Sequence, residues 1–96
     1  MAENETPRQR SRCRIFADIL AAVQKDEPAI ITHLIHDANL PYGRLMEYLA
    51  NMERSGLIET IIGEKETRYR ITVKGKRYLV EFRKFREFGD VFGVEI

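Results

Sequence analysis

Two apolar stripes of helical spacing, on segments joined by about three residues, constrain this chain more than any other feature. Ile31, Leu34, Ile35 and Ala38 recur as i, i+3, i+4 and i+7, which predicts a short helix of about nine residues. After Asn39, Leu40 and Pro41 the spacing resumes with Leu45, Tyr48, Leu49 and Met52. Asparagine tolerates the left-handed backbone that ends a helix, and proline suits the first turn of the next one, where its missing N–H has no partner to lose. Gly56 is placed to close the second helix. Helices joined this tightly cannot lie parallel. The segment therefore reads as a helix-turn-helix unit whose second helix is held outward by its buried stripe.

The flanks complete a domain around that unit. Ile15, Phe16, Ile19, Leu20 and Val23 predict a first helix from near Arg10 to near Lys25. Asp26, Glu27 and Pro28 break it and are expected to open the next helix, since carboxylates and proline both favour a helix start. After Gly56 the period changes. Leu57–Ile62 reads LIETII and residues 68–72 read RYRIT, two β-prone runs joined by a loop over Gly63–Thr67. Thr72 is a good N-cap for a last helix carrying Tyr78, Leu79, Phe82 and Phe85, expected to end near Phe88 before Gly89. The fold class is α+β, mainly α: a winged helix-turn-helix with a two-stranded wing and a C-terminal dimerisation helix. Residues 1–9 are expected as a flexible tail, 10–88 as the domain and 89–96 as an irregular tail.

Several function classes fall away. A chain of 96 residues supports one core. No apolar run approaches the roughly 18 residues of a membrane span, so a cytoplasmic protein is expected. Cys13 is the only cysteine; it is expected as a packed core thiol, and no cysteine pair exists for a disulfide or a zinc site. His33, His36 and Asp37 form too weak a cluster for a metal. No phosphate-binding glycine loop and no nucleophile with a nearby base are found, so neither cofactor, small-molecule substrate nor catalysis is expected.

A set of residues spread over about eighty positions resembles a known family. They are Arg10-Ser11 with Ile15, Asp18, Ile19 and Leu20; Thr32, Leu34 and Ala38-Asn39-Leu40; Tyr48-Leu49; Gly56-Leu57-Ile58; and Tyr69, Thr72, Lys74-Gly75 and Tyr78-Leu79. They are similar to the archaeal winged helix-turn-helix domains of predicted transcriptional regulators, which include small dimeric DNA-binding proteins from Sulfolobus. The resemblance implies a winged-helix fold, double-stranded DNA as ligand and dimerisation through the last helix. Pro41 departs from it where relatives often have serine, and Gly89 and Gly93 interrupt a helix that relatives often extend.

Net charge is only +1, but its distribution is uneven. Arginine fills every second position from Arg8 to Arg14, and nine cations against two carboxylates lie between Lys65 and Arg86. The stretch from Asp26 to Glu59 is net acidic. With Leu45, Tyr48, Leu49 and Met52 inward, steps of about 100° leave Gly43, Glu47, Ala50, Asn51 and Arg54 outward, with Tyr42, Arg44 and Met46 at the edges. Tyr42, Gly43, Arg44 and Glu47 are therefore candidate contacts in the major groove, Arg44 as the base reader. The alternative is a solvated face on which Arg44 pairs with Glu47. Lys65, Arg68 and Arg70 are candidate phosphate or minor-groove contacts on the wing, unless they serve the solubility of an edge hairpin. Arg10, with Arg8, is read as an arm along DNA, and Thr32 joins the candidate contacts. Phe82, Phe85 and Phe88 exceed what so small a core can cover and are assigned to a homodimer interface, with Tyr78 and Leu79 kept for the core. A dimeric regulator of transcription is expected; a protein-docking winged helix and a chromatin protein without sequence preference are the alternatives.

Overall fold

The hydroxyl of Ser11 accepts a hydrogen bond from the Arg14 amide at 3.1 Å and starts the first element, as serine does at a helix N-cap. The computed structural model describes residues 10–96. They form α1 (Arg12–Lys25), β1 (Ala29–Ile30), α2 (Ile31–Ala38), α3 (Tyr42–Arg54), β2 (Ile58–Ile62), β3 (Thr67–Ile71) and α4 (Val73–Phe92). The three strands make one antiparallel sheet in the order β1-β3-β2. Helix dominates, at 63% of the described residues.

Both predicted stripes of the helix-turn-helix lie inward. Leu34 of α2 and Leu45, Leu49 and Met52 of α3 are buried against Ile19, Leu20 and Val23 of α1 and Ile58, Tyr69 and Ile71 of the sheet. Each such aliphatic side chain contributes about 1.5–3 kcal/mol of burial free energy. Asn39 takes the left-handed conformation (φ 55°) at the end of α2, and the Leu40 amide reaches back to the Ile35 carbonyl at 3.2 Å. Leu40 itself is buried, which fixes the angle at which α3 leaves the turn. At the other end Gly56 (φ 80°) and the Leu57 amide cap α3, the latter bonding the Met52 carbonyl at 2.9 Å. The chain then enters the hairpin.

Four expectations are corrected. Asp26, Glu27 and Pro28 do not open α2. The chain runs extended through Ala29 and Ile30, which pair with Tyr69 and Arg68 and give the wing a third strand. The cause is an open edge on β3: Ala29 fits the core there, and the Glu27 carboxylate accepts from the Ile71 amide at 2.6 Å, continuing the ladder with a side chain. The last helix does not stop near Phe88, so residues 89–92 are helical rather than an irregular tail. Gly89 is used for close approach instead. A Cβ there would lie 2.5 Å from the Val94 carbonyl oxygen, because residues 94–96 fold back over it, and Gly93 (φ 71°) ends the helix. Cys13 is exposed rather than packed in the core. It precedes the inward Ile15 by two residues, about 200° around the helix. Arg10 is the fourth correction and belongs to the site.

Candidate nucleic-acid interface

The buried stripe of α3 turns its leading residues to solvent. Tyr42 is 60% exposed, Gly43, Arg44 and Glu47 are exposed, and apart from the adjoining helix backbone nothing lies within 4 Å of where a Gly43 side chain would begin. Arg44 lies 5.8 Å from the Tyr48 ring centroid, and its Nη2 donates to the Tyr48 hydroxyl at 3.4 Å. Among the described residues no Arg44–Glu47 ion pair forms, so the guanidinium has no carboxylate partner there and its main contact is Tyr48. Thr32, in the first turn of α2, is exposed and shares a depression of about 310 Å³ with Tyr42, Met46 and the β3 residues Thr67 and Tyr69. Burial, with Glu53 and Tyr42 adding to it, holds the Tyr69 phenol above its ordinary range, so this floor stays neutral.

The hairpin stands beside that turn, but its cations are largely engaged. Lys65 is exposed between Glu64 and Glu66. Arg68 is half-buried, donates to the Pro28 carbonyl at 3.1 Å and pairs with Glu66. Arg70 lies directly across the ladder from Glu59, 3.9 Å away, and Lys74 donates to the Ser55 carbonyl at 2.7 Å. A count of charges along the chain misses this, because strand register decides which cations meet carboxylates.

Arg10 is not a free arm. Its guanidinium donates to Asp18 Oδ2 at 2.7 Å and to the Ala38 and Asn39 carbonyls, each at 3.0 Å, clamping the end of α2 onto α1. Carbonyls at a helix C-terminus attract a cation, which explains why this arginine folds inward. Arg8, the other arm residue, lies outside the described residues. Arg12 is brought beside α3 instead, 5.9 Å from the Phe16 centroid and 5.8 Å from that of Tyr48. The arginine run Arg8–Arg14 signalled this cation without showing which helix it would meet.

On α4 the aromatic stripe divides. Phe82 is half-buried and stacks on Tyr78, with centroids 6.3 Å apart and planes 9° from parallel. Tyr78 in turn meets Phe16 of α1 at 6.1 Å, and Phe16 meets Tyr48 of α3 edge-on at 6.0 Å. Phe85 and Phe88 are exposed, as are Val91 and Phe92 beyond them. His33 and His36 each hydrogen-bond a different carboxylate, Asp26 and Asp37. No helix among the described residues is long and apolar enough to cross a membrane.

The fold and its outward helix define a winged helix-turn-helix protein. A model of the winged helix-turn-helix family matches residues 9–89, and the chain belongs to that family. Solved structures are similar to it. Sso10a-2, a DNA-binding protein from Sulfolobus solfataricus, superimposes with a TM-score of 0.78 at 25% identity over 86% of this chain and 85% of its own. The transcriptional regulator BldR from Sulfolobus solfataricus does so at 0.66 and 22% identity, over 80% of this chain and 60% of its own. A MarR family protein from Bacillus stearothermophilus gives 0.64 and 22%, over 81% and 56%. No curated protein matches the sequence.

Proposed function

We propose that this chain is a dimeric double-stranded DNA-binding protein that regulates transcription in the cytoplasm, at the chromosome. One observation carries the reading: the first turn of α3 is solvent-facing while Leu45, Leu49 and Met52 behind it are buried, so a rigid helix end is held out from the body. That end fits a major groove about 12 Å wide. Arg44 supplies two parallel N–H donors of the kind guanine accepts, Glu47 accepts from cytosine, and Tyr42 and Thr32 reach phosphate or a thymine methyl. Lys65 is the wing's accessible cation for phosphate; Arg68 and Arg70 reach DNA only by exchanging Glu66 and Glu59 for it. Phe85 and Phe88, with the outer edge of Phe82, form the dimer contact, which gives two reading helices and a palindromic site. The likeness to Sso10a-2, whose description is that of a DNA-binding protein, supports the same ligand here.

The neutralised wing favours a second reading, a protein-docking winged helix. Anisotropy titrations of labelled duplexes at two salt concentrations separate the two. DNA binding requires log K to fall by about 0.9 per neutralised phosphate for each decade of salt. Arg44→Ala is expected to cost about 1–3 kcal/mol on the preferred duplex and to level the preference among sequences. A flat salt response, or unchanged binding by Arg44→Ala, favours the docking role.

A further inference from the structure

Some 18 Å along α3 from its leading turn, the start of α1, the end of α3 and the start of α4 border an open groove of about 470 Å³. Arg12, Phe16, Asn51, Arg54 and Tyr78 line it. Arg10, Lys25, Arg68, Arg70 and Lys84 all have carboxylate partners. Arg12 and Arg54 have none among the described residues: Arg54 donates to the Asn51 side-chain oxygen, and Arg12 lies across the Phe16 and Tyr48 rings. Two arginines without a carboxylate partner among the described residues thus line one recess. Each keeps N–H donors free, and the Asn51 amide nitrogen adds another.

The remaining wall is aromatic. Phe16 and Tyr78 stand 6.1 Å apart with planes tilted by 39°. The Tyr78 hydroxyl donates to the Cys13 carbonyl at 2.8 Å, which fixes the ring. Burial, then the Cys13 neighbourhood, pushes this phenol up to about 12, so it places no negative charge against an incoming anion. The recess has the size of sites that hold small molecules, roughly 300–1,000 Å³. Guanidinium and carboxylate match in plane and spacing, and such charge-assisted bonds are about twice as strong as neutral ones.

We infer that this groove binds small aromatic carboxylates, with the ring against Phe16 and Tyr78 and the carboxylate between Arg12 and Arg54. The site is separate from the α3 turn proposed to meet DNA and is tested without DNA, so the two readings stand or fall independently. The chain has no tryptophan, so 1-naphthoate fluorescence is observed without an indole background. Saturable one-to-one binding by the full chain is expected. 1-Naphthalenemethanol, which keeps the ring and loses the charge, should bind roughly tenfold more weakly or worse, as should inorganic phosphate, which keeps charge and loses the ring. Arg12→Gln and Arg54→Gln should each weaken naphthoate roughly tenfold while leaving the circular dichroism spectrum unchanged. Equal affinity for the alcohol or for phosphate, unaltered binding by both variants, or the absence of saturation would each overturn the assignment.

Discussion

Gly75, in the first turn of α4, is packed tightly against Leu57 and Ile71, and Gly75→Ala tests the packing directly. An added Cβ would lie 2.3 Å from the Leu57 carbonyl oxygen and 2.7 Å from Ile71 Cγ1. Leu57 O cannot swing away freely, because it accepts from the Thr72 amide at 3.1 Å. Ordinary contact begins at 3.4 Å, so α4 must shift by about 1 Å against a close-packed neighbour. Overpacking of this kind costs about 1–3 kcal/mol, and the backbone carbonyl places this case near the upper end. Alanine returns up to about 1 kcal/mol of helix propensity. The net loss is about 2 kcal/mol, which for a domain of this size lowers the thermal midpoint by roughly 10 °C. Gly43→Ala is the internal control: nothing lies within 4 Å of the new methyl, so the same change in a helix should stabilise by about 0.5–1 kcal/mol. Scanning calorimetry at one fixed protein concentration reads both. A Gly75→Ala protein as stable as the parent, or moving in the same direction as Gly43→Ala, refutes the close approach.

Arg10→Ala should cost about 1–3 kcal/mol, since two carbonyls at the end of α2 and the Asp18 carboxylate lose their donor. Urea denaturation measures it, and duplex affinity of the folded variant should stay within about twofold; a selective loss of DNA binding restores the arm role. Alkali should destabilise the fold. The Tyr78 phenol, raised by burial to about 12, stays neutral in the folded protein while an unfolded one ionises near 10. Its contribution is therefore whole below about pH 10 and lost as pH climbs to about 12. Urea midpoints at increasing pH should fall over that window. Tyr78→Phe should flatten part of the decline, the rest coming from Tyr69, whose phenol is also raised. Replacing the exposed Phe85 and Phe88 together by lysine should turn a dimer into a monomer in sizing chromatography; unchanged elution places the interface elsewhere.

Periodicity reveals whatever depends on a helix burying one side. The stripes Ile31–Ala38 and Leu45–Met52, the Asn39 turn, the Gly56 cap and the Thr72 cap could be read because each rests on neighbours within one or two turns. Thr72 shows this well: its side chain accepts from the Gly75 amide at 3.0 Å, three residues away. Features requiring a distant partner could not be read. Two residues are too few for an alternating pattern, so β1 exists only because β3 offers an edge some forty positions later. Gly89 carries the composition of a helix end, yet its role depends on residues 94–96 folding back over it. The charge of Arg10 was visible, but the carbonyls that hold it, 28 and 29 residues away, were not. The exposed α3 turn belongs to the legible kind, and the Arg12–Arg54 groove, assembled from three helices, to the other.

The row of rings Tyr48, Phe16, Tyr78 and Phe82 carries a mechanical implication. Four rings in series, with neighbouring centroids 6.0–6.3 Å apart, link α3 through α1 to α4. In the proposed two-fold assembly held by α4 they act as the rigid limbs of a caliper, whose opening is set by how the hinge helices cross. Half-site spacing then becomes a property of the protein's own skeleton, and trimming one ring would blur it before weakening either grip.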